Sequence, residues 1–131
     1  KEITSLLDEL GHTYQDFGPQ TSDSVDYPDY AQPVAQGVAA GEFDRGILIC
    51  GTGIGMSIAA NKVKGIRCAL VHDVFSAKAT RGHNDSNILA MGERVVGGGL
   101  AREIVKTWLE GEFEGGRHER RISKLSELEN K

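Results

Sequence analysis

Cysteine is scarce: the 131 residues hold two, Cys50 and Cys68. Two cannot build a disulfide framework, and their spacing is neither a metal-ligand pattern nor a redox CxxC. They read as reduced thiols of a cytoplasmic protein. Long apolar runs are missing as well. A membrane span needs roughly 18–20 apolar residues in a row. The longest aliphatic stretch, Ile47–Ile49 ahead of Cys50, is far shorter and excludes a transmembrane protein. The opening Lys1-Glu2-Ile3-Thr4 has no basic region leading into an apolar one, so no secretory signal is expected. There is no repeat, low-complexity tract or linker, and one domain over residues 1–131 is the simplest account. A broad basic excess is absent too. Net charge is −4, made of −8 over residues 1–44 and +4 over residues 45–131. That does not suggest a nucleic-acid surface, although it leaves room for a local anion site in the second stretch.

What is abundant is glycine, 17 residues, and its placement divides a regular pattern of elements. Ile3, Leu6, Leu7 and Leu10 recur at helical spacing, and Gly11 stops that helix. His12–Phe17 reads as a short strand closed by Gly18-Pro19, and Thr21–Asp29 as a polar loop. A helix with Ala31, Val34, Ala35, Val38 and Ala39 on its buried face should start near Asp29, because Pro33 is tolerable only in a first turn. Arg45–Cys50 and Arg67–Val71 are apolar enough for strands buried on both faces. Met56–Val63 and Phe75–Arg81 read as helices and Asn87–Met91 as a further strand. Leu100–Leu109 is a helix on Leu100, Ile104, Val105 and Trp108, and a last helix should run from about Arg117 to Leu128. Strands alternating with helices imply an α/β fold, a three-layer α/β/α sandwich with a mainly parallel, Rossmann-like sheet.

In such a sheet ligands bind beyond the carboxyl ends of the strands. The segment Cys50-Gly51-Thr52-Gly53-Ile54-Gly55 lies at one such end. Alternate glycines let the backbone approach a ligand and turn its N–H groups inward, and the following helix adds a positive N-terminus. A phosphate, a carboxylate or a developing oxyanion would fit; so would a tight turn with no ligand. Neither a GxGxxG with its third glycine in place nor a P-loop string occurs. A phosphatase-type arginine just after the loop is missing, since Met56 and Ser57 stand there. Cys50 is either a thiol activated by the loop's donors or a small buried hydrophobe; for Cys68 the second reading is preferred. His83-Asn84-Asp85 can transfer protons and orient hydroxyls, or can simply form a polar turn. Grouped with His72-Asp73 it would make a metal cluster, but no ligand spacing supports one. Arg117 and Arg121, at i and i+4 in the first turns of a helix, are easier to explain with an anion between them than as a stabilising pair. A solvated charged helix is the alternative.

Taken together, Asp26-Tyr27-Pro28, the run Gly46–Lys62, Gly65-Ile66-Arg67, Ser76-Ala77, His83-Asn84-Asp85, Arg94–Gly97 and Glu114-Gly-Gly-Arg-His118 resemble the type B ribose-5-phosphate isomerases, a family that includes the galactose-6-phosphate isomerase subunits. The resemblance runs essentially from end to end. It implies cofactor-independent interconversion of ribose 5-phosphate and ribulose 5-phosphate in a homodimer or tetramer with sites at the subunit interface. It implies neither a metal nor a nucleic-acid or membrane partner. By the same resemblance Cys50 is the base, and Thr52 with the backbone of Gly51, Gly53, Ile54 and Gly55 holds the enediolate. His83 assists ring opening, and Asn84 and Tyr27 contact the sugar. Arg94, Arg117 and Arg121 take the phosphate, with His118 and Arg81 as helpers. A six-carbon sugar 6-phosphate (allose or galactose) or a non-catalytic binding subunit are the alternatives. Family members open with a strand and a Ser-Asp-His or similar motif. Here Lys1 already falls in the first helix, so a preceding segment carrying them is expected.

Overall fold

The computed structural model describes residues 2–18 and 26–130. Helix α1 (Glu2–Leu10) turns Ile3 and Leu6 inward and ends at Gly11. Helix α2 (Pro28–Ala39) follows, then strand β1 (Gly46–Cys50), helix α3 (Ile54–Asn61) and strand β2 (Cys68–Leu70). Helix α4 (Val74–Ala79) runs into a π-helical turn at Thr80–Asn84. Strand β3 (Ile88–Gly92), helix α5 (Gly98–Glu110) and helix α6 (Arg117–Leu128) complete the described chain.

The strands are parallel in the order β1-β3-β2, with Gly46 opposite Ile88, Cys50 opposite Gly92, and Cys68 opposite Ile88. The central strand β3 is buried at every residue. Successive side chains of a strand face opposite ways, and β3 uses both faces. Leu89 and Met91 enter a core with Ile3, Leu6, Ile104, Val105 and Trp108. Ile88 and Ala90 enter another with Val34, Val38, Leu48, Met56 and Ala60. The α/β/α sandwich expected from the alternation is therefore present. The outward backbone groups of Cys68 in β2 are met by Asn61: its Nδ2 donates to Cys68 O at 3.0 Å and its Oδ1 accepts from Cys68 N at 2.8 Å. The free side of β1 instead borders a groove of about 730 Å³ lined by Ile3, Leu7, Tyr30, Val34 and residues 12–18.

Several expectations give way. Residues 12–17 form no strand: His12–Asp16 are exposed and pair with no ladder among the described residues. Phe17 is half-buried, edge-on to Phe43 at 5.6 Å. Neither β1 nor β2 is buried on both faces. Ile49 and Leu70 are each 38% exposed, because among the described residues both strands lie at the sheet's borders. Ala39 and Leu100 are exposed, and Ala101 takes the inward place in α5. Pro33 lies inside α2 beyond its first turn, since α2 starts at Pro28. Of the expected loop at 21–29, residues 21–25 lie outside the described residues.

Candidate active site

The carboxyl end of the sheet is built from main chain. Gly53 caps α3 with φ +78, and a Cβ there would stand 2.7 Å from the Met91 carbonyl carbon, so only glycine fits. Its N–H donates to Cys50 Sγ at 3.1 Å, which fixes the thiol at the mouth of the loop. The Ile54 N–H goes to Thr52 Oγ1 at 3.3 Å. A helix's first turn leaves N–H groups without acceptors of its own. With those two engaged, the first-turn donors left to meet a ligand are at Gly55 and Met56. The Tyr27 ring packs against Gly55, and the exposed Arg94 lies over Gly51, whose carbonyl accepts the Arg94 N–H at 3.1 Å. His72 closes the end of β2: its Nε2 accepts the Gly92 N–H at 2.9 Å, which requires that nitrogen to be unprotonated.

The amino end is built from side chains. Helix α4 begins beyond the carboxyl end of β2, where Asp73 caps it through Oδ1 on the Ser76 N–H at 2.6 Å. Those bonds hold the Asp73 carboxyl below its ordinary range. The chain then returns past the sheet, and the π-helical turn places His83 and Asn84 at the surface. The imidazoles of His83 and His118 stack 4.3 Å apart at 11°. Glu114 Oε1 stands 3.9 Å from one and 3.8 Å from the other. Desolvation first, then His83 and Arg117, push His118 below its ordinary value of 6.5. Arg117 and Arg121 are exposed on α6, a helix with no buried residue, and neither makes an ion pair among the described residues.

These two groups are not together. Arg67, just ahead of β2, donates through Nε to the carbonyls of Asn84 and Asp85 at 3.2 and 3.0 Å. His83 therefore lies by the amino ends of the strands, and Cys50 by their carboxyl ends. Four steps along β3 at about 3.3 Å each separate the ends by roughly 13 Å. The three arginines divide in the same way: Arg94 joins the cysteine end, and Arg117 and Arg121 join the histidine end with His118. Arg81 is not free to help with a phosphate. It is buried, and its Nη1 binds Asp85 Oδ1 at 2.8 Å and Ser86 O at 2.6 Å.

A model of the Ribose/Galactose Isomerase family matches residues 1–125. The chain belongs to that family. It is 71% identical over 131 residues, 99% of this chain and 88% of the relative, to YwlF of Bacillus subtilis, provisionally named a sugar phosphate isomerase. It is 44% identical, over 98% of this chain and 85% of the other, to the D-erythrulose-4-phosphate isomerase of Pectobacterium atrosepticum. Its fold superposes on ribose-5-phosphate isomerase B of Clostridium thermocellum with a TM-score of 0.97 at 55% identity, over 98% and 87% of the two chains. On the Mycoplasma genitalium enzyme with bound ribulose 5-phosphate the TM-score is 0.94 at 42% identity, over 98% and 86%. This member of the family is accordingly an aldose–ketose isomerase of sugar phosphates. No helix of its described residues is long and apolar enough to cross a membrane.

The isomerase's histidines and carboxylates that could ligate a metal fall on the same map. His72-Asp73 and His83-Asp85 lie at opposite ends and form no cluster. The donors of His83, Glu114 and His118 lie within 4.8 Å of one another. An imidazole binds a metal in its ring plane, and two parallel stacked rings offer no common point, so these lone pairs do not converge on one ion. Sequence reasoning missed His72 as the support of the Gly92 turn and Glu114 as the carboxylate between two imidazoles. Glu114 carried a signal, since it opens the Glu114–His118 string; nothing in the sequence singled out the pairing of His72 with Gly92.

Proposed function

We propose that the chain interconverts ribose 5-phosphate and ribulose 5-phosphate through an enediolate, without metal or organic cofactor, as a cytoplasmic homodimer. The observation that carries this reading is the Cys50 thiol, 3.1 Å from the Gly53 N–H at the carboxyl end of β1. As thiolate, Cys50 takes the C2 hydrogen of the open-chain aldose as a proton. The electron pair closes a C1–C2 double bond, and the carbonyl electrons move to O1. Returning that proton to C1, placing a proton on O1 and releasing the one on O2 gives the ketose. C1 is reduced and C2 oxidised, so no outside reductant enters. Acid–base help of this kind contributes roughly 10²–10⁴-fold, and one oriented oxyanion donor about 2.7–4 kcal/mol. The first-turn amides of α3 and Thr52 are the donors for the enediolate. His83 opens the furanose ring with Asn84 beside it, Tyr27 borders the sugar, and Arg94, Arg117, Arg121 and His118 hold the phosphate. Phosphate binding then positions C1 and C2 against the sulfur.

The separation of the two ends supports a site shared between copies: the cysteine end of one protomer with the histidine end of another. Exposed Ile58, Leu70, Val74 and Phe75, the last 80% exposed, supply an apolar surface for such an interface. The relative that acts on a four-carbon ketose phosphate keeps substrate length open to experiment. Aldose phosphates of four, five and six carbons should be assayed together with Cys50→Ala. The expected result is fastest turnover on the five-carbon sugar, and loss of turnover with retained sugar-phosphate binding in the variant. Full activity in Cys50→Ala would remove it as base, and a faster four- or six-carbon sugar would replace the substrate.

A further inference from the structure

The turn that carries His83 is held by an ion pair beneath it, and this pair has no part in the mechanism above. The turn is π-helical, a form uncommon in proteins and frequent at functional sites. Arg81 and Asp85 stand two residues to either side of His83. Arg81 is 7% exposed, yet its Nη1 reaches both Asp85 Oδ1 and Ser86 O, across the base of the turn. Its Nε is buried with no partner among the described residues. An arginine kept inside with one donor unanswered is poorly explained by its own stability; it is better explained by what its other donors hold. Asp85 is the one non-glycine residue with positive φ among those described, at +46. It is gripped from a second side by Arg67, whose Nη2 is 3.5 Å from Asp85 Oδ2 and whose Nε binds the Asn84 and Asp85 carbonyls. Below it, Ser86 Oγ accepts the indole N–H of the fully buried Trp108 at 2.8 Å, tying the turn to the core. The side chains of His83 and Asn84 lie outside this clamp at the surface, where His83 stacks on His118 and faces Glu114 at 3.9 Å.

We infer that Arg81 and Asp85 are positioning residues: their ion pair staples the π-helical turn and so sets where His83 stands over His118 and against the sugar. The catalytic half of this inference rests on His83 acting on the substrate. The geometric half does not, and the two are read separately. The variant that isolates the staple is Asp85→Gly, because glycine adopts the positive φ freely and removes only the carboxylate. Asp85→Asn is the conservative companion, since asparagine also tolerates that conformation and its amide oxygen can still accept from Arg81.

In the geometric test, imidazole proton resonances report the ring-current shifts of the His83–His118 stack. They should be lost in Asp85→Gly and kept in Asp85→Asn; an unchanged stack in Asp85→Gly overturns the proposal. In the catalytic test, turnover of ribose 5-phosphate by Asp85→Gly should fall about 10- to 100-fold, the scale of a misplaced group. Exchange of the C1 hydrogen of ribulose 5-phosphate with deuterated water, which involves no ring, should stay at wild-type rate. Asp85→Asn should match wild type in both. A parallel fall of exchange and turnover would mean general damage rather than misplacement, and would count against the proposal. If His83→Ala turns over normally, the functional reading fails while the resonance test still decides the staple. Should Asp85→Gly fail to fold, the double variant Arg81→Met with Asp85→Gly removes the unmatched guanidinium as well and is read in the same way. Failure of that variant too would make the pair a requirement of the fold rather than a device for aiming His83, overturning the inference.

Discussion

At the carboxyl end of β1 the proposed chemistry falls to one thiol and a run of main-chain amides, in a loop where Gly53 leaves no space for a side chain and Gly55 is covered by the Tyr27 ring. At the amino end of β3 it is carried by imidazoles and guanidiniums, on a π-helical turn and on a helix that buries nothing. The first kind of site is stiff, because the sheet fixes it through Glu93 N–H on Cys50 O at 2.8 Å and His72 on Gly92 at 2.9 Å. The second depends on side-chain packing and on charges that solvent can reach. A group that must sit within a fraction of an ångström of a reacting carbon is better placed at the first, and groups that grasp a non-reacting phosphate can be placed at the second. In the proposed reaction neither end is a site alone.

The sharpest way to break this contrast is to inactivate one end in each of two preparations. Cys50→Ala and His83→Ala should each lose turnover, and mixing them with subunit exchange should restore about a quarter of wild-type activity, because half the dimers are then mixed and each has one intact site. No recovery in verified mixed dimers would place both ends in one protomer's site. Next in size, Arg117→Ala should raise KM for ribose 5-phosphate roughly 10- to 100-fold with little change in kcat, the worth of a charge-assisted bond. An unchanged KM contradicts the phosphate assignment. A smaller effect separates the thiols: burial pushes Cys68 up to about 11, so it is protonated at neutral pH. Alkylation followed by mass spectrometry should modify Cys50 well before Cys68, and equal rates would refute the assignment. The smallest is a titration. The folded His118 lies below 6.5, so its neutral form is favoured by folding. That contribution is present above the unfolded value and lost as pH falls below about 6.5. Its NMR midpoint should move back up in His83→Ala; a midpoint at or above 6.5 in wild type would contradict the packing of the pair.

Much of this architecture could be read from residue order. The sequence predicts a strand over 87–91 and a last helix over 117–128, and these are found at Ile88–Gly92 and Arg117–Leu128. The strand expected at 12–17 is absent because a short stretch closed by Gly-Pro reports local preference alone, whereas a strand also needs a neighbour's backbone. The apolar letters of β1 and β2 exceed their burial among the described residues, because burial depends on which elements lie alongside, a property of topology. The candidate residues could be named, but not the end of the sheet on which each falls. That depends on α4 being six residues long and unwinding into a wider turn before β3. The role of Arg81 was hidden for a simpler reason: an arginine letter signals surface, and only the packing of α5 over Ser86 shows it inside.

Asn61 has a consequence beyond local bonding. By giving and taking a hydrogen bond with Cys68, its carboxamide imitates the peptide of an adjoining strand. Exposed borders of sheets invite foreign chain to zip on, the first move of edge-to-edge aggregation. Here a single planar amide occupies the outward-facing groups of Cys68, where β2 begins, so lateral growth past β2 is opposed at its first residue by one side chain.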